Sequence, residues 1–329
     1  MIVYVRSYIA DFDARLGKYF KALDVAGLSF QFIGWNKDGR LTGAAPGFHY
    51  YPRRARLGAG WVNLFALVGW NLYMLRHLVR LRAQVTVVHA VDLDTAMAAW
   101  LFCTVFRRKL VFDLYDRYTA VRGMSGVVGR VVDALEGFIA RRASLTLIVA
   151  EERRTQHGLP SALDNVLVLE NVPQMAFAEP APPLAVPPWK IGYFGVLEPH
   201  HRGLEDLLEA CRGRADVQLH LAGYGGLTEA CEAEAARSAN IHFHGPMPSS
   251  EGLMLMAGMD VVAGFYYLTV PNHIHASPNK YYEHLMLGRP LVTTCGTPPG
   301  ARVAAEGTGW ALEEGGAEYV DMALVPEEG

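Results

Sequence analysis

Residues 276–288 set a serine, a proline, an asparagine, a lysine and a glutamate in an order that suits anion binding. Ser277 is a good N-cap, and Pro278 suits a first helical position because it lacks only an N–H that would be unpaired there. Asn279 and Lys280 then fall in the first turn, where unpaired backbone N–H groups and the helix dipole favour negative charge. Glu283 lies one turn on, on the same side as Lys280. Gly288 closes the helix before a strand that starts at Pro290. A turn, an anion-ready helix start and a carboxylate one turn later suit a nucleoside diphosphate and its ribose. The same spacing equally suits an ordinary capped helix between two strands.

Other candidates lie at predicted strand ends. A second glycine-rich stretch runs Tyr193-Phe-Gly195-Val-Leu-Glu-Pro-His-His-Arg202-Gly203. Asp113-Leu-Tyr115-Asp116 follows the apolar run 109–112, so it falls at a strand's carboxyl end, the edge where open parallel sheets bind ligands. Asp92 and Asp94 form a D-x-D pair of the kind that holds a divalent cation. They sit between a strand end and a helix start, however, where N-capping explains Asp94 more cheaply. His200, His201, His273 and His275 lie on separate loops with no carboxylate pattern, which reads as solvated loop histidines rather than metal ligands.

Positioning these residues requires two α/β domains. Apolar strand runs at 2–5, 28–33, 85–89, 109–112, 145–149 and 166–169 alternate with helical patterns, and a new series starts at 190. This alternation is that of doubly wound parallel sheets. Between the two series, 179–189 carries five prolines and reads as an extended linker. The expected division is 1–178, linker 179–189, and 190–329, a two-domain architecture with a cleft between. No G-x-G-x-x-G fingerprint follows the first strand, which removes support for a dinucleotide-binding dehydrogenase. Residues 61–82 form the longest helical pattern, broadly apolar with Arg76, Arg80 and Arg82 at one end and Arg53, Arg54 and Arg56 just upstream. A core-facing helix and an interfacial membrane helix both look like this.

The net charge of −3 hides an asymmetry, since residues 1–172 hold 22 Lys and Arg against 14 Asp and Glu, and 173–329 hold 8 against 19. The first domain is therefore expected to face something anionic. Its basic residues lack the interleaved aromatics of a nucleic-acid platform. Four dispersed cysteines with no C-x-x-C pair fit a reducing compartment. No secretory signal and no apolar run of ~18 residues is visible, so the expected location is cytoplasmic, peripheral at the inner face of the membrane.

Taken in order, these segments resemble GT-B glycosyltransferases, especially the retaining family 4 and its bacterial branch with S-P-N-K ahead of the glutamate. The landmarks are Tyr193-Phe-Gly195-Val-Leu with Arg202-Gly203, Leu219-His-Leu-Ala-Gly223-Tyr-Gly225, Ile241-His-Phe-His-Gly245-Pro-Met247, Met259-Asp-Val-Val, and Ser277-Pro-Asn-Lys280 through Glu283 to Gly288-Arg-Pro-Leu-Val292. In the first half they are Asp13-Ala-Arg15, His89-Ala-Val-Asp-Leu-Asp, Asp113-Leu-Tyr-Asp116 and Glu170-Asn171-Val-Pro173. The resemblance covers nearly the whole chain.

It implies a GT-B fold, two Rossmann-like domains facing a central cleft, and a hexosyltransferase that retains configuration and needs no metal. The donor would be a nucleotide-diphosphate sugar, and the acceptor a saccharide or lipid-linked group in bacterial surface polysaccharide or glycolipid synthesis. It also implies roles for single residues. Gly195 would approach the diphosphate, Arg202 and Lys280 would pair with its phosphates, and Ser277, Pro278 and Asn279 would complete the cradle. Glu283 would take the ribose hydroxyls and Met247 would lie against the base. Asp116, Tyr115, His89 and Arg15 would line the acceptor and sugar side.

The sequence departs from the family pattern in places. His275 stands where the first of a glutamate pair is expected, Val196 where an arginine is expected, and Tyr115 where a histidine is common. The chain also ends soon after Gly307-Thr-Gly-Trp310, so the second domain is expected to be short or truncated. A sugar-nucleotide 2-epimerase of the same architecture and a non-catalytic nucleotide-sugar binder are the alternative expectations.

Overall fold

The computed structural model describes residues 1–39, 41, 43–55, 60–173 and 186–315, with backbone alone at 12, 14 and 60–64. Most of the expected linker, 179–185, lies outside the described residues, as does Arg56. The chain divides into two compact units, Met1–Glu170 and Asn171–Gly329.

Unit 1 opens with β1 (Ile2–Arg6), α1 (Ala14–Val25), β2 (Phe30–Trp35), β3 (Phe48–Tyr51) and α2 (Gly60–Arg80). It continues with β4 (Val87–Val91), α3 (Leu93–Val105), β5 (Lys109–Leu114), α4 (Tyr118–Val121) and α5 (Gly126–Arg142). β6 (Leu145–Ile148), α6 (Glu152–Gln156) and β7 (Val166–Val168) follow. Its seven described strands form one sheet in the order β3-β2-β1-β4-β5-β6-β7, all in parallel. The central strands β4 and β5 are apolar along most of their length because helices cover both sheet faces. α2, α3 and α5 pack on one face through Trp70, Met74, Phe102 and Ile139. On the other face Leu16 of α1 joins Tyr4, Phe32 and Val91.

Unit 2 repeats the plan. β8 (Trp189–Val196), α7 (Leu204–Cys211), β9 (Val217–Tyr224), α8 (Thr228–Arg237), β10 (Ile241–Phe243) and α9 (Ser249–Ala257) come first. β11 (Val261–Gly264), α10 (Asn279–Leu287), β12 (Leu291–Thr294), α11 (Pro298–Glu306) and β13 (Gly309–Leu312) follow. The strand order is β10-β9-β8-β11-β12-β13, again parallel throughout. Both sheets have the doubly wound order in which the first strand ends in the middle and the chain reverses direction beside it.

Two expectations about helix starts are corrected. Asn279 is the first residue of α10 and Pro278 occupies the cap position with φ −75° and ψ 149°; among the described residues no side chain caps it. Ser277 therefore stands one residue too early, and its hydroxyl meets the Tyr282 hydroxyl at 3.3 Å instead. Asp92, not Asp94, holds the cap position of α3, with no side-chain hydrogen bond to the first turn. The helix expected at 61–82 is α2, and its buried residues Ala66, Trp70, Met74 and Leu78 mark the core-facing side.

Candidate functional site

In unit 2 the carboxyl ends of β8 and β9 approach each other so closely that only glycine fits. A Cβ on Gly223 would stand 1.8 Å from the Gly195 carbonyl oxygen, and Gly223 has φ +140°. Gly195 itself has φ +153°. The Gly223 N–H donates to the Gly245 carbonyl at 2.9 Å. That bond holds the turn carrying half-buried Met247 at the same edge.

Lys280 reaches this edge from α10. Its stem runs over Gly264, where a Cβ would meet Lys280 Cδ at 2.7 Å. Its ammonium donates to the Phe194 carbonyl and lies 4.2 Å from the centre of the Tyr193 ring. Burial pushes that ammonium down to about 8, against the attraction of Glu283 and with a further push from Arg202. Arg202 donates from Nε to Glu198 Oε2 at 3.1 Å and sits 5.0 Å from the centre of the Tyr266 ring. The buried Tyr266 phenol is raised by desolvation, lowered by Arg202 and raised again by Tyr193 and Glu283.

Gly195, Arg202, Lys280 and Glu283, expected from the sequence to act together, are thus brought together. Ser277, Pro278 and Asn279 form the turn that leads into this helix start, pinned where Asn171 Nδ2 donates to the Ser277 carbonyl at 3.2 Å. His275 ends a short 3-10 turn, His273–His275, and is half-buried. Two cations and an uncapped helix start at one sheet edge can hold a diphosphate.

Glu198, Tyr266 and His273 were missed as members of this group. Glu198 was visible as a carboxylate four residues before Arg202. His273, expected to be a solvated loop histidine, is buried. Its ring N–H donates from Nδ1 to the Tyr267 carbonyl at 2.8 Å. Burial and the nearby Arg202 charge hold its pKa below the ordinary histidine value. His200, by contrast, is 82% exposed in its side chain. A hollow lined by Pro188, Arg212, Arg214 and Asn240 lies at the opposite, amino edge of the sheet. Arg212 and Arg214 are ion-paired with Glu234 and Asp216, so that edge offers an anion little.

Unit 1 places Arg15 and His89 around Asp113, whose role the sequence did not reveal. Arg15 donates to Asp113 Oδ1 at 3.3 Å from Nη2 and to Oδ2 at 3.4 Å from Nε. Tyr19 donates to Oδ2 at 2.7 Å, as does His89 Nε2 at 3.1 Å. Arg15 also donates to the Leu169 carbonyl at 2.7 Å. Burial favours the protonated acid, but the His89 hydrogen bond and the Arg15 charge outweigh it and hold Asp113 below the usual carboxylate range. Arg15 and His89 are both buried, so they order the edge from behind. Tyr115 is half-buried and its hydroxyl donates to Asp13 at 3.3 Å, with the Arg6 guanidinium 4.2 Å from its ring centre. Asp116 is open to solvent on one side, with 47% of its side chain exposed, and accepts from Arg153 at 2.9 Å.

The D-x-D pair is split between two environments. Asp94 accepts from Ser7 at 2.6 Å and Arg122 at 3.1 Å, with Lys37 at 4.0 Å. Asp92 accepts the Tyr115 N–H at 3.2 Å and has φ 60° and ψ 165°, a region other residues leave to glycine. Burial pushes its carboxyl up to about 8, with Arg6 opposing and Asp94 and Asp116 reinforcing. Because the folded value lies above the unfolded one, Asp92 contributes stability that is full below pH ~4 and is lost as pH rises toward about 8. Asp92→Asn, which cannot ionise, is expected to be more stable than the wild type by at least ~1 kcal/mol at pH 8 and by less at pH 5. Urea melts at the two pH values measure this, and an equal difference at both would refute it.

Neither a protein-family model nor a curated protein sequence matches the chain. Solved structures do. Sucrose-phosphate synthase from Thermosynechococcus elongatus superposes with TM-score 0.71 at 12% identity, over 98% of this chain and 88% of that one. The lipopolysaccharide outer core galactosyltransferase WaaB gives 0.68 at 11% identity, over the same 98% and 88%. Anabaena HepE in complex with UDP and glucose gives 0.64 at 17% identity, over 97% and 87%. The chain has the GT-B fold, with two Rossmann-like parallel-sheet domains, that these solved proteins share.

Proposed function

We propose that the protein is a glycosyltransferase that moves a hexosyl group from a nucleotide-diphosphate sugar to a saccharide or lipid-linked acceptor, in bacterial surface polysaccharide or glycolipid synthesis. The observation that carries this reading is the meeting of Gly195, Arg202, Lys280 and the uncapped start of α10 at one sheet edge. Such a group stabilises charge as it develops on a leaving nucleoside diphosphate. Two cations and a helix dipole do in this reading what a metal would do, so transfer is proposed to be metal-independent. It is proposed to proceed with retention of configuration, and no protein nucleophile is nominated. Glu283 takes the ribose and the Gly245–Met247 turn the base. Asp116 and Tyr115, ordered by Arg15 and His89, serve the acceptor side. HepE structures hold UDP and UDP-glucose, which supports a nucleotide-sugar donor. The place of action is the inner face of the cytoplasmic membrane.

A thermal-shift panel of UDP-, GDP-, ADP- and dTDP-sugars tests the reading. One of them at 100 times its Kd should add about 2.7 kcal/mol of stability. Arg202→Ala should weaken that ligand ~10- to 100-fold by removing a charge-assisted contact. A panel with no response, or an Arg202→Ala protein that responds as the wild type does, would overturn it. An epimerase would instead change the sugar of its ligand with no acceptor present, which product analysis of the same mixtures detects.

A further inference from the structure

We infer that the outward faces of α2, α3 and α5 together form a docking surface for an anionic lipid bilayer, on which the chain lies without crossing it. These three helices cover one face of the unit 1 sheet, and each keeps a second apolar stripe that turns away from the core. Phe65 and Leu72 of α2 are 70% and 63% exposed, Leu101 and Val105 of α3 are 51% and 63%, and Val127 and Val131 of α5 are 67% and 62%. The helices are direct neighbours. Asn71 of α2 donates to the Asp94 carbonyl of α3 at 3.1 Å. Trp100 of α3 packs edge-on against Phe138 of α5 at 5.3 Å between ring centres. The stripes therefore lie side by side rather than scattered singly, which is the arrangement that marks an interaction face.

The exposed charges on this layer are predominantly positive. Arg76, Arg80, Arg82, Arg107 and Arg130 are exposed on these helices or at their ends. α2 contains no aspartate or glutamate. Asp94 of α3 is buried and paired with Arg122. On α5, Asp133 is paired with Arg117, and Glu136 is buried against His157. The surface is apolar and cationic, whereas α7 and α8 of unit 2 carry Glu205, Asp206, Glu209, Glu229, Glu232 and Glu234. A bilayer with anionic headgroups offers an apolar interior and negative charge at once, so it complements both properties of the face. Among the described residues no helix is long and apolar enough to cross a membrane. The contact is therefore in the plane of the interface, with α2 supplying ~30 Å of length. This adds a docking face to the transferase reading without resting on it, because the test uses no sugar nucleotide.

Co-sedimentation of the full chain with vesicles decides it. Vesicles of phosphatidylcholine with roughly a third phosphatidylglycerol should pull the protein down, and pure phosphatidylcholine should do so much less. The triple variant Leu72→Glu/Leu101→Glu/Val131→Glu should partition at least ~10-fold more weakly. All three positions are already more than half exposed, so the fold should stand. Arg76→Gln/Arg80→Gln, which touches only charge, should bind several-fold more weakly and keeps the test decisive if the triple variant melts early. Met254→Glu in unit 2, at a site 67% exposed, should sediment as the wild type does. Wild type left in the supernatant with both vesicles would overturn the inference, as would variants that sediment unchanged. Lipid-free dimers abolished by the triple variant would overturn it too, because a second copy would then cover the face.

Discussion

Lys280→Met is expected to abolish the nucleotide-induced rise in melting temperature while leaving the unliganded protein at least as stable as the wild type. The usual ammonium value is 10.5 and that of Lys280 is about 8. Holding the charge inside at neutral pH thus costs up to roughly 3 kcal/mol. Methionine removes that cost and keeps most of the stem that packs over Gly264. It leaves the Phe194 carbonyl without its donor, which returns about 1–3 kcal/mol. The two nearly cancel for the unliganded chain. For a bound diphosphate nothing cancels, and the loss should be ~100-fold in affinity.

The pH dependence follows from the same number. The folded value is depressed, so the wild type gains stability as pH rises from about 8 to 10.5, where the unfolded chain alone keeps the proton. Lys280→Met lacks this gain. Nucleotide affinity of the wild type should fall as pH rises through about 8, because binding must then recharge the ammonium. Calorimetric titrations between pH 7 and 9.5 check both statements. Wild-type affinity that is flat over that range and matched by the variant would remove Lys280 from the phosphate site.

The second large effect is on folding. Asp113→Ala should cost ~3–5 kcal/mol, because it leaves the Arg15 guanidinium buried without its counter-charge and strips acceptors from Tyr19 and His89. Asp113→Asn keeps the shape and should cost less. The native carboxyl lies below its unfolded value, so its stabilisation is present above pH ~4 and is lost as pH falls through the lower native value. Urea unfolding at pH 7 measures the cost, and a change below ~1 kcal/mol for Asp113→Ala would show the network to be ornamental. The asparagine variant should also lack the last part of the wild type's acid destabilisation.

Most of the fold was readable because parallel strands buried on both faces are apolar runs, and because glycines such as Gly27 and Gly288 stop helices in the left-handed region. β3 was not readable. Phe48–Tyr51 is an edge strand of half-buried aromatics with neither alternation nor a continuous buried run. The phosphate-type edge of unit 2 was legible to the extent that its residues lie close in sequence, as Gly195 and Arg202 do, or Lys280 and Glu283. Ser277 was misjudged as a cap because serine and proline suit adjoining positions equally, and Pro278 at φ −75° satisfies either. The role of Asp113 was not legible, since its partner Arg15 stands 98 residues earlier and no spacing rule connects them. His273 read as a solvated loop residue because only the folded chain shows the Tyr267 carbonyl and Arg202 around it.

The strand order of unit 1 also bears on how the chain is made. β1 lies between β2 and β4, and its partner Val87–Val91 is synthesised some 80 residues after it. At ribosomal speeds of ~5–20 residues per second, the opening strand waits on the order of 10 s with one hydrogen-bonding edge unpaired. Val3 and Val5, which end fully buried, are exposed during that interval. The same delay recurs in unit 2, where β8 pairs with β9 after one helix but with β11 only after two further helices have emerged. Each domain is therefore most prone to mispairing midway through its own translation, and slower elongation would lengthen that exposure rather than relieve it.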